Sequence, residues 1–483
     1  MRFIEKMSKE IIVNRTFEET RVAVLENDRL SDIFIERRET EKILNNIYKG
    51  KVQNIVSGLS SAFVDIGFGK SAYLGIADII ASKNEKNIEN MLKVGQDIMV
   101  QIYKEPISTK GPKVTMDISL PGRLLVYMPF SKRVGVSKQI ESKEEYNRLK
   151  NIVKNLKKDL AGGIIVRTEA EDATEEEIER EMKYLSRLWA SIINRFNNSK
   201  CGTCVHKDLG VVFQTVRDHF TEDVKMMQID NQKELNDVVD FVRTVSPELE
   251  DRIVLYEGKQ PIFKAYGIEE EIKRLRSNKA RLKSGGYLII QEAESLCAID
   301  VNSGKFVGNN NTQEEVGTIT NIEAAQEVAR QLRLRNIGGI IVIDFIDMKK
   351  EKNRKKVLEA LREATKHDKA KIKICPITHL GLIEMTRERK RESLFSLLGD
   401  TCPTCHGLGL ILSKESVFIS VCQEIEQMKI EKFFGKIKIK LHPDVAQYFV
   451  ERKRRLQELF KKDIDIIPTD AVTREDYNII LEQ

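Results

Sequence analysis

The stretches that decide the fold are GKVQNIVSG (50–58), SAFVDIGFGK (61–70), SAYLGIADI (71–79), GQDIMVQIYKE (95–105) and PKVTMDISL (112–120). Each is short, rich in Val, Ile, Phe and Tyr, and closed by glycine or a polar turn, which is how half-buried strands read. Five such strands are the count of an OB-type barrel. Phe63 and Tyr73 fall on neighbouring strands, with Phe68 on the turn between them. Aromatics there are either barrel core or outward platforms on which unpaired bases stack, with Lys110 or Lys70 beside them as phosphate partner. Gly67-Phe68-Gly69-Lys70-Ser71 is not a nucleotide-binding P-loop, because the Gly-x4-Gly-Lys spacing is missing.

Outward from the barrel, residues 20–35 read as a hairpin turning at Glu26-Asn27-Asp28. Beyond Pro121 come a strand (LLVYMP), a helix over 144–158 and a second strand, GGIIVRT (162–168). Thr174 and Glu177 fit a capping box that opens a helix through Trp189. A helix is expected over about 208–220, extended segments over 251–266 and a basic helix over 269–283. GGYLIIQEAESLCAIDVNSG (285–304) reads as strand, turn, strand; a helix over 321–335 precedes the apolar strand GGIIVIDFID (338–347). After KIKICPIT (371–378) a basic helix is expected over 382–398, followed by CPTCHGLG (402–409) and a small α/β unit containing the alternating strand IKIKLHP.

A chain of 483 residues is too long for one core, and its 41% hydrophobic content rules out global disorder. No apolar run approaches a membrane span and the N-terminus MRFIEKMSKE has no apolar signal region, so a cytoplasmic protein is expected. Seven thinly spread cysteines make no disulfide framework. The net charge of +6 is concentrated: residues 349–373 hold eleven Lys/Arg against four acids, and 273–283 hold six basic residues and no acid. Either run alone is an ordinary solvated face. Two of them around an acidic constellation suit a polyanion.

That constellation lies where strands should be apolar. Asp300 and Asn302 are two apart, so on a strand they share a face, and Asp344 closes the run Ile340-Ile341-Val342-Ile343. A carboxylate at the end of a buried strand costs free energy unless it is paired or binds a cation. Hard oxygen ligands beside phosphate point to Mg²⁺, which keeps several waters and needs only one or two protein carboxylates. Asp347, three positions beyond Asp344, falls on the opposite face by strand parity and is left out of the metal set.

The runs DVNSG (300–304), LRLRNIGGIIVIDFIDM (332–348), CPTCHGLG and SAFVDIGFGKSAYL together resemble the ribonuclease E/G family, over essentially the whole chain and in the family's order. The likeness is to its shorter members, without the long disordered arm. The resemblance implies an α+β multidomain protein: an OB-fold barrel (35–120) inserted in a ribonuclease-H-like part (1–34 with 215–278). A 5′-phosphate sensor region (121–214), a DNase-I-like catalytic subdomain (279–400), a zinc link (401–415) and a small dimerisation domain (416–483) complete it. It implies Mg²⁺ held by Asp300 and Asp344, Asn302 bonded to the scissile phosphate, and RNA contacts from Phe63, Phe68, Tyr73 and Lys110. Gly122, Val126, Arg167, Thr168 and Lys371 would bind a 5′-monophosphate. Lys371 stands where better-known members have arginine, giving a point charge in place of a bidentate fork. The implied activity is endonucleolytic cleavage of single-stranded, A/U-rich RNA in rRNA and tRNA processing and mRNA decay. The rival is a non-catalytic RNA-binding or ribosome-assembly protein, against which stand Asp300, Asn302 and Asp344.

Cys402-Pro-Thr-Cys405-His406 also spells the c-type haem attachment pattern, which needs an exported protein. As a structural zinc site it offers two ligands, or three with His406, of the four required. The remainder come from Cys201 and Cys204 of the same chain or from Cys402 and Cys405 of a second chain. The family resemblance favours the second arrangement, a zinc shared across a dimer, with tetramers in larger members. His206, His219, His379 and His442 are scattered singly and suggest no catalytic role.

Overall fold

The computed structural model describes residues 8–37, 43–80, 87–105, 111–140, 142–157, 161–304, 312–366, 368–389, 391–428 and 434–482. Lys110 lies outside them. The chain divides into two compact units, residues 1–391 and 392–483.

In the first unit, strands Ile47–Val56, Ser61–Asp65, Ala72–Gly75, Lys113–Thr115 and Asp97–Lys104 pair in that order. The last pairs back onto the first, so the five-stranded sheet closes into an OB-like barrel with no free edge within the ring. Alternation on the second and third strands explains it: Ala62, Val64, Ala72 and Leu74 fill the interior with Val52, Val100, Ile102 and Val114, while Phe63 and Tyr73 point outward. Strand Thr203–His206 adds on beside Ile47–Val56. Gly67 is in the left-handed region (φ 77°), and a Cβ there would lie 2.4 Å from the Gly202 carbonyl, so the barrel turn sits directly on the Cys201-Gly202 turn.

Strands Lys9–Arg15, Glu19–Glu26 and Arg29–Arg37 form a meander whose first strand runs parallel to Val224–Ile229, with Ile253–Leu255 at the edge. The expected hairpin turn is present, with φ of 50° at Asn27 and 59° at Asp28, the type I′ geometry that suits strand twist. Helices Val211–His219 and Gln232–Val245 close this core through Val211, Val216, Val238 and Val242. A four-stranded sheet (Val134–Val136, Gly163–Val166, Leu125–Met128, Leu120–Pro121) packs against helices Lys143–Leu156 and Glu175–Asn198. The latter opens with the anticipated Thr174/Glu177 capping box.

The sheet that carries Asp300 and Asp344 has six strands in the order Lys279–Arg281, Tyr287–Glu292, Leu296–Asn302, Gly339–Asp344, Leu382–Arg387, Ile372–Ile374. Helices Gln313–Leu334 and Glu351–Thr365 contribute Ala324, Val328, Leu332, Val357 and Leu361 to the core on one of its faces. Two expectations are corrected here. The basic helix over 269–283 ends at Leu275, and Lys279–Arg281 is an edge strand with Ala280 turned into the core. The helix over 382–398 is strand Leu382–Arg387 plus the short helix Leu394–Leu398; Ile383, Met385 and Arg387 alternate inward with a period of two. The span 251–266 is extended only at Ile253–Leu255, with a helical turn at Ile262–Ala265 behind Pro261.

The second unit holds a three-stranded sheet (Asp463–Pro468, Lys436–Leu441, Tyr477–Glu482) with helices Lys414–Gln427, Pro443–Val450 and Lys453–Phe460. Ile437, Ile439 and Leu441 alternate into its core, as the IKIKLHP pattern requires. No helix among the described residues is long and apolar enough to cross a membrane.

Candidate active site

Strands Leu296–Asn302 and Gly339–Asp344 are parallel neighbours in a register that sets Asp300 directly opposite Asp344. Cys297, Ile299 and Val301 point into the core, so Ala298, Asp300 and Asn302 lie on the opposite, exposed face. On the neighbouring strand Ile341 and Ile343 are buried and Asp344 is exposed. The Asn302 Nδ2 donates to Asp300 Oδ2 at 2.7 Å, which fixes the side chains relative to each other. Partial burial, the Asp300 charge and the Asp347 charge together push the Asp344 carboxyl above its ordinary value. Neither Asp300 nor Asp344 has an ion-pair partner among the described residues. Two facing carboxylates without a cation are a repulsive pair, and this donor set fits a hard divalent ion that retains waters. No cluster of three or more His, Cys, Asp or Glu is gathered among the described residues.

Strand parity does not reach Asp347, because the strand ends at Asp344. The chain beyond is pinned by Asn321, fully buried on helix Gln313–Leu334. Its Nδ2 donates to the Ile346 carbonyl (2.8 Å) and its Oδ1 accepts from the Ile346 N–H (3.0 Å). An asparagine amid Ala324, Ala325 and Val328 was the available sequence signal for this clamp.

At the strand end after Val166, Arg167 Nη1 donates to the Gly122 carbonyl (2.6 Å) and to Asp218 Oδ1 (3.0 Å), and its Nε lies 3.4 Å from Glu169. Burial opposes ionisation of Asp218, yet the Arg217 hydrogen bond and charge, with Arg167, hold its carboxyl below the usual range. Thr168 Oγ1 bonds the Ser137 hydroxyl (2.9 Å) and Gln139 Oε1 (3.0 Å). Val126 sits between Pro121 and Ile165 on adjacent strands. A Cβ at Gly122 would collide with the Glu181 carboxylate. That carboxylate is itself buried and accepts the N–H groups of Leu124 and Leu125, both at 2.9 Å; burial pushes it up to about 7. Lys371 is exposed and held to Glu388 through its backbone. The lysine that reaches this cluster is Lys369, whose ammonium is 2.6 Å from Glu169.

On the barrel, Phe63 and Tyr73 are cross-strand partners packed edge to face, ring centroids 6.1 Å apart, and both are half-exposed. Phe68 is 46% exposed on its turn. A cation beside these rings is Lys113, 5.4 Å from the Tyr73 centroid. It stands directly opposite Tyr73 on the neighbouring parallel strand, a pairing that spacing in the sequence does not reveal.

In the second unit the backbone folds back over the cysteine pair: His406 N–H donates to the Cys402 carbonyl (2.9 Å) and Leu408 N–H to that of Cys405 (2.8 Å). His406 and Gly407 take positive φ to make the turn. Hydrogen bonds from the Cys405 and Thr404 amides to the Cys402 sulfur hold that thiol below its ordinary value. Cys201 instead donates to Asp97 (2.9 Å), and Cys204 bonds the His206 carbonyl and packs on the barrel core.

The model of the ribonuclease E/G family matches residues 119–390, and that of the RNase E/G thioredoxin-like domain matches 401–482. Ribonuclease G of Haemophilus influenzae is 41% identical over 457 residues, 92% of this chain and 92% of that protein. Ribonuclease G of Escherichia coli is 39% identical over 452 residues, 91% of this chain and 92% of that one. Ribonuclease E of Haemophilus influenzae is 32% identical over 485 residues, 98% of this chain but 52% of its own length. With relatives this similar over nine-tenths of both chains, and a family model spanning most of the first unit, the chain belongs to the ribonuclease E/G family.

Proposed function

We propose that the protein is an Mg²⁺-dependent endoribonuclease that hydrolyses single-stranded, A/U-rich RNA, leaving 5′-phosphate and 3′-hydroxyl ends. The observation that carries this reading is the in-register pair Asp300 and Asp344 on one exposed face, beside Asn302. Asp300 and Asp344 would hold the ion, which when bound supplies charge for the phosphate oxygens and a more acidic water. Asn302, already held by Asp300, turns its amide to the scissile phosphate. The strand Lys279–Arg281 brings positive charge to the same sheet, and the outward Phe63 and Tyr73 supply stacking surface for unpaired bases.

Arg167 and Thr168, with the backbone around Gly122 and Val126, form the pocket for a 5′-monophosphate in this reading. Lys369 and Lys371 are the nearby sources of additional charge. The Cys402–Cys405 turn suits structural Zn²⁺, since N–H groups aimed at a sulfur favour the thiolate that metal binding requires. Two ligands per chain then favour an ion shared between two chains, hence a dimer and, by pairing of dimers, a tetramer. In a cell such an enzyme would act in the cytoplasm on rRNA and tRNA precursors and on decaying mRNA. The test is cleavage of an end-labelled A/U-rich oligonucleotide with and without Mg²⁺. Cuts should appear only with the ion and carry 5′-phosphates; tight binding without any cleavage would leave the assembly-protein reading standing.

A further inference from the structure

The basic run 273–283 divides into two kinds of cation. Lys273 and Arg274 are paired within their own helix, to Glu270 and Glu271 at 3.1 Å each. Lys279 and Arg281 are on an edge strand, exposed, and without an ion-pair partner among the described residues. Register then decides where they point. Ala280, between them, is buried with Leu288, so Lys279 and Arg281 project from the other face. That is the face of Asp300 and Asp344. Across the sheet, Arg281, Tyr287 and Asn302 form one row of direct partners, and Lys279, Ile289, Asp300 and Asp344 form the next. Adjacent strands are about 4.8 Å apart, so the Arg281 backbone is roughly 10 Å from that of Asn302. Tyr287 stands between them, half-exposed, with the Lys279 ammonium 3.4 Å from its ring centroid.

We infer that Lys279, Arg281 and Tyr287 form a nucleotide subsite beside the reaction centre, holding the residue of RNA next to the scissile phosphate. Each cation takes one of the two backbone phosphates flanking that nucleotide, and the Tyr287 ring takes the base. This rests on the endoribonuclease reading for the position of the scissile phosphate, but not for the binding itself. The chemistry is that of single-strand sites generally: an aromatic face with cations at its margin, tolerant of sequence because every base has a π-face. In the free protein the Lys279 ammonium covers the ring. Bound RNA gives it a phosphate oxygen instead and opens the ring to a base. Arg281 is long enough to follow its phosphate and has no ion-pair partner among the described residues. Two exposed cations with no ion pair among the described residues, beside a facing pair of carboxylates, add little to stability, and the Lys279 contact with Tyr287 is a surface one.

The experiment is an abasic scan of a fluorescein-labelled single-stranded oligonucleotide bound in EDTA, where cleavage does not intervene. Removing one base should weaken wild-type binding by about tenfold at a single position next to the cleavage point. In Tyr287→Leu that position should lose its penalty while the others keep theirs, and Tyr287→Phe should restore it. Arg281→Gln should lower the slope of log K against log salt by about 0.7, one phosphate's worth for a single strand. The inference falls if Tyr287→Leu keeps the full abasic profile, or, should that variant not fold, if Arg281→Gln leaves the salt slope unchanged. Cleavage of the same oligonucleotide in Mg²⁺ separates the two readings. A wild type that shows the Tyr287-dependent position but cuts nothing keeps the subsite and loses the nuclease. One that cuts with no such position keeps the nuclease alone.

Discussion

Glu181→Gln should change the pH dependence of stability in a calculable way. Glu181 is 3% exposed, and both of its 2.9 Å bonds, from the Leu124 and Leu125 amides, go to Oε1, which a glutamine retains. Burial moves the carboxyl from 4.5 to about 7 against those bonds and the charges of Arg123 and Arg167. A raised carboxyl binds its proton more tightly folded than unfolded. Its contribution is therefore complete below about pH 4.5 and is lost as the pH climbs through about 7, a swing of about 3 kcal/mol. Glutamine does not titrate. The stability difference between variant and wild type should thus shift in the variant's favour by about 3 kcal/mol between pH 4.5 and pH 8. At a urea slope of about 2 kcal/mol per molar that is a midpoint displacement of roughly 1.5 M. The chain's single tryptophan, Trp189, lies on the same helix and packs against the same core, so its emission reports this region even if other domains unfold separately. Parallel curves for the two proteins from pH 4.5 to pH 8 would refute the reasoning. The consequence reaches the proposed phosphate pocket, since the turn that Glu181 holds includes Gly122, whose carbonyl anchors Arg167.

Phe63→Ala should weaken single-strand RNA binding by about tenfold, the low end of one stacked base, measured by anisotropy; unchanged affinity in a folded variant returns Phe63 to a packing role against Tyr73. The wild type should cut a 5′-monophosphorylated oligonucleotide faster than its 5′-hydroxyl twin, and Arg167→Ala should erase the difference; equal rates in the wild type would dispose of the sensor. Zinc analysis should give one ion per two chains, and Cys402→Ser with Cys405→Ser should run as a monomer on a sizing column. A stoichiometry of one per chain would point instead to an internal site.

Much of this arrangement could be read before any coordinates. The barrel was legible because its strands are short, alternating and bounded by glycine, and because Gly67 and Gly69 mark a turn that tolerates little else. Asp300 and Asp344 stood out because each interrupts an apolar run. That they face each other was not legible, since the register pairs residues 44 positions apart, with helix Gln313–Leu334 packed on the same core between them. The basic segments misled for a physical reason. Lys279, Arg281, Glu384 and Thr386 occupy the exposed positions of strands, and a charged exposed face looks alike on a helix and on a strand until the buried residues between are counted. The contact of Lys369 with Glu169 was not legible either, because it joins segments 200 residues apart. The charge of Asp347 acts on Asp344 from beyond the strand end, where alternation no longer says which way a side chain points.

The most direct test of the catalytic assignment is a paired measurement on Asp344→Asn: the single-turnover cleavage rate in Mg²⁺ and the RNA dissociation constant in EDTA, from the same preparation. Asparagine keeps the shape and removes the charge that faces Asp300. We expect the rate to fall by on the order of 100-fold or more while the dissociation constant stays within about threefold, because binding rests on cations and aromatics elsewhere on the surface. A variant that cuts RNA at near the wild-type rate would contradict the assignment of Asp300 and Asp344 as the metal-holding pair.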